Sequence, residues 1–181
     1  MKPDSSQAWR NTGEYAAFDT SQWEFKSRLY YSAACQLRTN YASQVQSSPF
    51  EAVACLVVAQ FNMALAVELV CKALYLKTAS NPGKEVYTHK VADLLPKGLL
   101  SQEQAELLSF AAEVVEWAGR YPTPRWDNKT SKERYDIPEK NGPNSFDAND
   151  IPNRASIGLI DVLETLYCHV HEARECYRQI D

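Results

Sequence analysis

One long apolar helix, predicted over residues 49–77, most constrains what this chain of 181 residues folds into. A serine cap followed by a proline at residues 48–49 is a helix start signal, and a turn cluster at residues 80–83 ends the segment. Apolar residues recur through it with the helical period, which predicts a face turned to the core. That face consists of Ala54, Val57, Val58, Phe61, Leu65, Leu69, Ala73 and Leu76.

Two charged residues, Glu68 and Lys72, fall on the same apolar stripe. They are four residues apart with the acid first, which is the favourable order for an ion pair on a helix. Both need partners, because an unpaired charge on a face turned to the core is costly. We predict that His89, in the next helical segment, pairs with Glu68. The three side chains either bind a phosphate or a base, or form a satisfied internal network that fixes the short helix onto the long one.

Composition and charge narrow the class of protein. A net charge of -4 and a pI of about 5.5 exclude a global basic field, so nucleic-acid binding needs a local patch. Polar residues interrupt the apolar helix, which favours a buried helix over a membrane span. No secretory signal is visible, and the five scattered cysteines are typical of reduced core thiols. We therefore expect a cytoplasmic protein that does not enter the membrane.

Helix start signals recur along the rest of the chain, with capping boxes predicted at residues 21–24 and 101–104, each opened by a serine cap. No convincing strand pattern is present. We predict an N-terminal extension over residues 1–20 and a single helical domain over residues 21–181. Because only Ser47 separates the first helix from the serine cap of the second, the two helices should pack as an antiparallel pair. The predicted fold is all-α, an up-and-down bundle of four long helices plus one short helix, with a long polar loop before the last helix. The helices are expected at residues 21–46, 49–77, 89–95, 101–119 and 153–180, and the loop at residues 120–152.

Three short segments, taken in order, resemble the HEPN superfamily of small helical-bundle proteins. They are residues 68–72 late in the second helix, residues 88–95 after a turn, and residues 119–122 closing the next helix. The resemblance covers residues 21–180 and implies an up-and-down bundle that forms a homodimer. It also implies a nucleotide, an RNA or a cognate protein as partner. Members include RNA-cleaving toxins of toxin–antitoxin and phage-defence systems, and non-catalytic modules that bind nucleotides.

The chain departs from the nuclease branch of that superfamily at the motif that carries the activity. In that branch four to six residues separate an arginine, which holds the scissile phosphate, from a histidine that assists proton transfer. His89, His169 and His171 all lack such an arginine, and the nearest imitation is Lys84 before His89. Lysine is a poorer phosphate clamp because it has no bidentate fork. We expect a non-catalytic binding or interaction module; the alternatives are a divergent ribonuclease toxin that uses one of these histidines and a purely structural bundle.

The long loop holds a second candidate binding segment, in which cationic and aromatic side chains alternate. Cations for phosphates and aromatic faces for bases are the two ingredients of single-strand binding. The alternative is a solvated loop whose aromatic residues anchor it to the bundle. The predicted contact residues are Arg120, Tyr121, Arg125, Trp126, Lys129 and Lys132.

No cofactor and no metal site is predicted. Cys168, His169, His171 and Cys176 lie close together in the last helix, but a structural zinc site needs four ligands at a recognisable spacing. The chain also lacks a P-loop and a Gly-x-Gly-x-x-Gly motif, so the common phosphate-binding loops are absent from the sequence.

Overall fold

A computed structural model of the protein describes residues 19–118 and 157–178. These residues form four α-helices joined by turns, and no strand is found among them, so the predicted all-α fold class is confirmed. The helices are α1 (Thr20–Gln44), α2 (Pro49–Thr78), α3 (Gln102–Glu113) and α4 (Ile157–Arg178). Two short 3₁₀ turns, Lys84–Tyr87 and Val91–Leu94, lie between α2 and α3, and a π-helical turn, Val114–Ala118, continues α3.

The helix starts follow from local sequence, with one correction. Helix α2 begins at Pro49 as predicted, because the fixed φ and missing N–H of proline suit a first helical position. Ser101 caps α3 in the predicted capping box, in which its hydroxyl accepts the N–H of Gln104 at 3.2 Å. The predicted serine cap of α1 is wrong. The carboxylate of Asp19 caps that helix instead, accepting the N–H of Ser21 at 2.9 Å.

Helix α2 is central in the described structure, since α1, α3 and α4 all contact it. Residues 66–74 are buried without exception. The first half of α2 is covered on one side only: Ala54 and Val58 are exposed, so the predicted inward stripe is wrong at these two positions. The physical reason is that α2 is apolar on all its faces, and periodicity alone then does not select the inward one.

By length and composition alone, α2 is also long and apolar enough to cross a membrane. It is the one such helix among the described residues. Within its most apolar stretch, 56% of the residues are buried by the rest of the chain. The central helix of a bundle has the same composition, because it too is surrounded by apolar side chains.

Helices α1 and α2 run antiparallel, as the short connection at residues 45–48 predicts. At one end of the pair, the thiol of Cys55 lies 3.7 Å from the side-chain oxygen of Gln44. Toward the other end, the buried hydroxyl of Ser27 donates to the backbone carbonyl of Ala66 at 3.0 Å. The second contact ties α1 to the enclosed part of α2.

The predicted short helix at residues 89–95 is instead the 3₁₀ turn Val91–Leu94, preceded by a second such turn. Its last N–H, on Leu95, bonds to the carbonyl of Ala92, three residues back, at 3.3 Å. Pro96 follows directly and disfavours helical backbone at the residue before it, so the segment stays short. Residues 1–18 of the predicted extension and the whole predicted loop lie outside the described residues.

Candidate functional site

The predicted cluster of Glu68, Lys72 and His89 is present with the expected partners. The Oε1 atom of Glu68 accepts from Nζ of Lys72 at 2.7 Å, and its Oε2 atom accepts from Nδ1 of His89 at 2.9 Å. Because an ionised carboxylate only accepts, Nδ1 of His89 carries the hydrogen in this bond. The Glu68 and Lys72 side chains are 5% and 4% exposed, whereas His89 is 34% exposed at the surface end of the cluster.

Trp23 of α1 also contacts this cluster, and no pattern in the sequence points to it. Nζ of Lys72 lies 5.1 Å from the centroid of the Trp23 ring, a cation–π contact. The neighbouring Cys71 is fully buried, and burial raises the pKa of its thiol, so it is not an activated nucleophile. Both oxygens of Glu68 and the ammonium of Lys72 have partners. This arrangement favours an internal network that holds the bend at His89, between the two 3₁₀ turns, against α2.

A second polar cluster lies where α1 meets α4, and sequence reasoning missed it. The buried guanidinium of Arg174 donates to the carboxylate of Glu24 on α1 and to Glu175 beside it, the latter at 2.6 Å. Arg28 donates to the other oxygen of Glu24 at 2.6 Å. One carboxylate of α1 therefore bonds to an arginine on each of the two helices.

The same line of contact continues toward the other end of α1. Arg38 donates to Asp161 at 2.7 Å and to Glu164 at 2.6 Å, while the Tyr31 hydroxyl donates to Glu164 at 2.7 Å. The Tyr31 hydrogen bond and then Arg38 lower the pKa of Glu164, against partial burial, which raises it. The start of α1 contacts the end of α4, and the second half of α1 contacts the start of α4, so the two helices are antiparallel. We call this line of contact the α1–α4 seam; it comprises Glu24, Arg28, Tyr31, Arg38, Asp161, Glu164, Tyr167, His171, Arg174 and Glu175.

Between its ion pairs the seam opens into a shallow cavity of about 310 Å³ that is largely open to solvent. The rings of Tyr31 and Tyr167 stack with 4.5 Å between their centroids, and the His171 ring lies 5.9 Å from that of Tyr167. The side chain of Arg28, at the rim, is 56% exposed. An aromatic wall beside an exposed guanidinium suits a planar ligand that carries negative charge. The lining residues are Arg28, Tyr31, Tyr167, Cys168, His171 and Glu172.

A group of possible metal ligands lies next to this cavity. Glu24, His171 and Glu175 each place one ligand atom within 4.8 Å of the others. Arg174 binds both carboxylates, however, and Arg28 binds Glu24 as well. Two guanidinium groups on these oxygens oppose the approach of a divalent cation. We therefore interpret the group as an ion-pair network.

The other predicted site residues lie elsewhere. Nε2 of His169 donates to the backbone carbonyl of Leu99 at 2.9 Å, on the side of α4 that faces away from the seam. The five cysteines are free, but Cys168 and Cys176 are exposed, so the prediction of core thiols is wrong for these two. The loop residues Arg120, Tyr121, Arg125, Trp126, Lys129 and Lys132 lie outside the described residues.

The fold and the seam define an all-α protein with a polar, aromatic-lined groove between two antiparallel helices. In comparisons of the chain with protein-family models, curated proteins and solved structures, nothing matches. The HEPN resemblance consequently stays a prediction from the sequence.

Acidification should weaken the seam through Glu164. Because the folded state lowers its pKa from the ordinary value of 4.5, the carboxylate contributes stability that is fully present above that value. This contribution is lost as the pH falls through the lowered folded-state pKa. The variant E164Q should therefore melt below the wild type at neutral pH, and the difference should shrink at about pH 3. Thermal melts followed by circular dichroism measure it, with E172Q, an exposed acid on the same helix, as control. A difference that is equal at both pH values contradicts the prediction.

Proposed function

We propose that this chain is a non-catalytic HEPN-like binding module, folded as an up-and-down bundle, that binds a nucleotide or a single-stranded RNA at the α1–α4 seam. The observation that carries the proposal is the cavity walled by Tyr31, Tyr167 and His171, with Arg28 at its rim. The three segments at residues 68–72, 88–95 and 119–122, which resemble the superfamily in their order, support the HEPN proposal. We further propose a cytoplasmic homodimer that acts with a cognate protein in a defence or toxin–antitoxin pair.

The chemistry of the seam suits a base more directly than a phosphate chain. Tyr167 is buried and stacks with both Tyr31 and His171, so a base would stack on Tyr31 or His171, and such stacking is tolerant of sequence. Glu24 and Glu164 are each bonded to arginine, which reduces their repulsion of an anionic ligand. The cavity volume lies at the lower end of the range for small-ligand pockets, which favours a single nucleotide at this position. Further phosphates would bind the predicted cationic loop residues Arg125, Lys129 and Lys132.

Arg28 tests this proposal directly. The variant R28A should weaken binding about tenfold or more, because a charge-assisted bond to a phosphate contributes roughly 1.5–3 kcal/mol. The probes are a short fluorescein-labelled single-stranded RNA, followed by fluorescence anisotropy, and ATP, followed by calorimetry. Lys26, also exposed on α1 but outside the cavity lining, provides the matched control K26A, which should bind as the wild type does. Equal losses in both variants would mean that the probe is attracted by the charge of the whole surface and not by the seam. If the wild type binds neither probe, the purely structural bundle is the alternative that remains.

One observation favours the divergent ribonuclease as a second function. His171 lines the seam cavity, which also contains Arg28, whereas His89 and His169 are bonded to Glu68 and to a backbone carbonyl. Incubating the labelled RNA with the wild type, H89A, H169A and H171A distinguishes the two functions. We expect intact RNA in all four samples. Cleavage that disappears in H171A alone would replace the binding proposal with the nuclease.

A further inference from the structure

The cavity of the α1–α4 seam contains a carboxylate that has no partner among the described residues. Glu172 lines the cavity from α4, and its side chain takes part in none of the hydrogen bonds or ion pairs of the described helices. It lies one helical turn after Cys168, which lines the same cavity. Burial, and then the charges of Glu164 and Glu172, raise the pKa of the Cys168 thiol, so the Glu172 carboxylate lies close to that thiol. The acids of the seam itself differ, because an arginine binds each of them.

This unpaired carboxylate limits which part of a ligand can lie beside it. An ionised carboxylate only accepts hydrogen bonds and repels phosphate, so it suits a ligand group that carries N–H donors. Arg28 lines the cavity from α1, and beyond the Nη2 atom that bonds to Glu24 its guanidinium has further N–H donors. The two charges therefore favour a ligand with its anionic end toward α1 and a donor edge toward α4.

Among the common nucleobases, guanine has the edge that fits a carboxylate. Its N1–H and its 2-amino group are adjacent donors, which match the two oxygens of one carboxylate. Adenine and cytosine place a ring-nitrogen acceptor beside their amino group, and uracil has a single N–H between two carbonyl oxygens. A base that stacks on His171 lies next to Glu172, which follows His171 in the chain and lines the same cavity.

We infer that Glu172 determines the specificity of the seam by accepting the N1–H and 2-amino hydrogens of a guanine base, while Arg28 binds the phosphate of that nucleotide. The inference rests on the proposed nucleotide site and names the base that this site selects. The guanine belongs to a free nucleotide or to a single-stranded RNA, and the same carboxylate recognises it in both.

Calorimetry with nucleoside monophosphates tests the selection. The wild type should bind GMP about tenfold more tightly than IMP, which lacks the 2-amino group, and AMP should bind more weakly again, because each step removes a charge-assisted hydrogen bond. E172Q should bind GMP about tenfold more weakly and should prefer XMP, since an amide accepts from N1–H and donates to the 2-carbonyl oxygen of xanthine. Removal of a negative charge would by itself strengthen the binding of every nucleotide, so a loss for GMP has the opposite sign.

The matched control is E103Q, which removes an exposed acid at the start of α3, outside the cavity lining. It should bind GMP as the wild type does, and circular dichroism should show that both variants are folded. If the wild type binds GMP, IMP and AMP equally and R28A weakens all three, the inference is overturned while the seam site stands. A folded E172Q that binds GMP as tightly as the wild type also overturns it.

Fluorescence anisotropy distinguishes the two sources of guanine. The probes are fluorescein-labelled single-stranded RNAs of equal length, one of uridines alone and one with a central guanosine. If the site requires a strand, no monophosphate binds, the guanosine-containing RNA binds the wild type more tightly, and E172Q loses this difference. Equal binding of the two RNAs without binding of GMP overturns the inference alone. A wild type that binds none of the monophosphates and neither RNA overturns the seam site and the inference with it.

Discussion

Replacing Glu68 by alanine should lower the free energy of unfolding by about 3–5 kcal/mol, the usual loss when one partner of a buried ion pair is removed. The change leaves the ammonium of Lys72, 4% exposed, without a carboxylate, and it removes the bond that holds His89 against α2. For a chain of this length, that loss corresponds to a decrease of roughly 6–20 °C in Tm. Urea unfolding and thermal melts followed by circular dichroism measure the two quantities.

Two further variants show whether the loss arises from an unpaired charge. E172A removes an exposed acid and should change the free energy of unfolding by less than about 0.5 kcal/mol. The double variant E68L/K72M replaces the pair with apolar side chains of similar size and should recover most of the stability, because no buried charge is left unpaired. If E68A keeps the wild-type Tm but loses binding of the labelled RNA, the internal-network interpretation is wrong and the cluster is a ligand site.

The Glu68 cluster was predictable because its signals are local. Glu68 and Lys72 are one helical turn apart, and His89 follows only 21 residues after Glu68, on the next structured segment. Both charges needed a partner, and few side chains were within reach. The starts of α2 and α3 were predictable for the same reason, since a proline or a capping box acts within one turn.

The α1–α4 seam was not predictable because its partners are distant in sequence. Arg38 and Glu164 are 126 residues apart, and Glu24 and Arg174 are 150 residues apart. The pattern on α1 indicates a polar face but does not distinguish a solvated face from one that pairs with another helix. From the sequence alone, Arg28 and Arg38 can equally well remain in solvent.

The predicted stripe of α2 failed for a different reason. At Leu69 and Ala73 the prediction is confirmed, because the bundle encloses the helix there on all sides. At Ala54 and Val58 it is wrong, because the neighbouring helices cover only one side of that part. A periodic pattern identifies an apolar face without identifying what covers it.

Replacing Arg174 by alanine should lower the free energy of unfolding by about 3 kcal/mol, the lower end of the range for a broken buried pair. The side chain of Arg174 is 5% exposed and joins Glu24 of α1 to Glu175 of α4. The loss should be smaller than for Glu68 because Glu24 keeps Arg28 as a partner. R174K should recover little of it, since an ammonium lacks the planar fork that reaches two carboxylates at once.

The matched control is R28A, which removes the other arginine on the same carboxylate. Arg28 is more than half exposed, so its ion pair is screened and the variant should lose less than about 1 kcal/mol. R174M separates packing from charge, because methionine retains an apolar stem in place of the arginine stem. If R174M is as stable as the wild type, the arginine stabilises the seam by its stem alone. A larger loss in R28A than in R174A contradicts the assignment of Arg174 as the residue that holds α1 against α4.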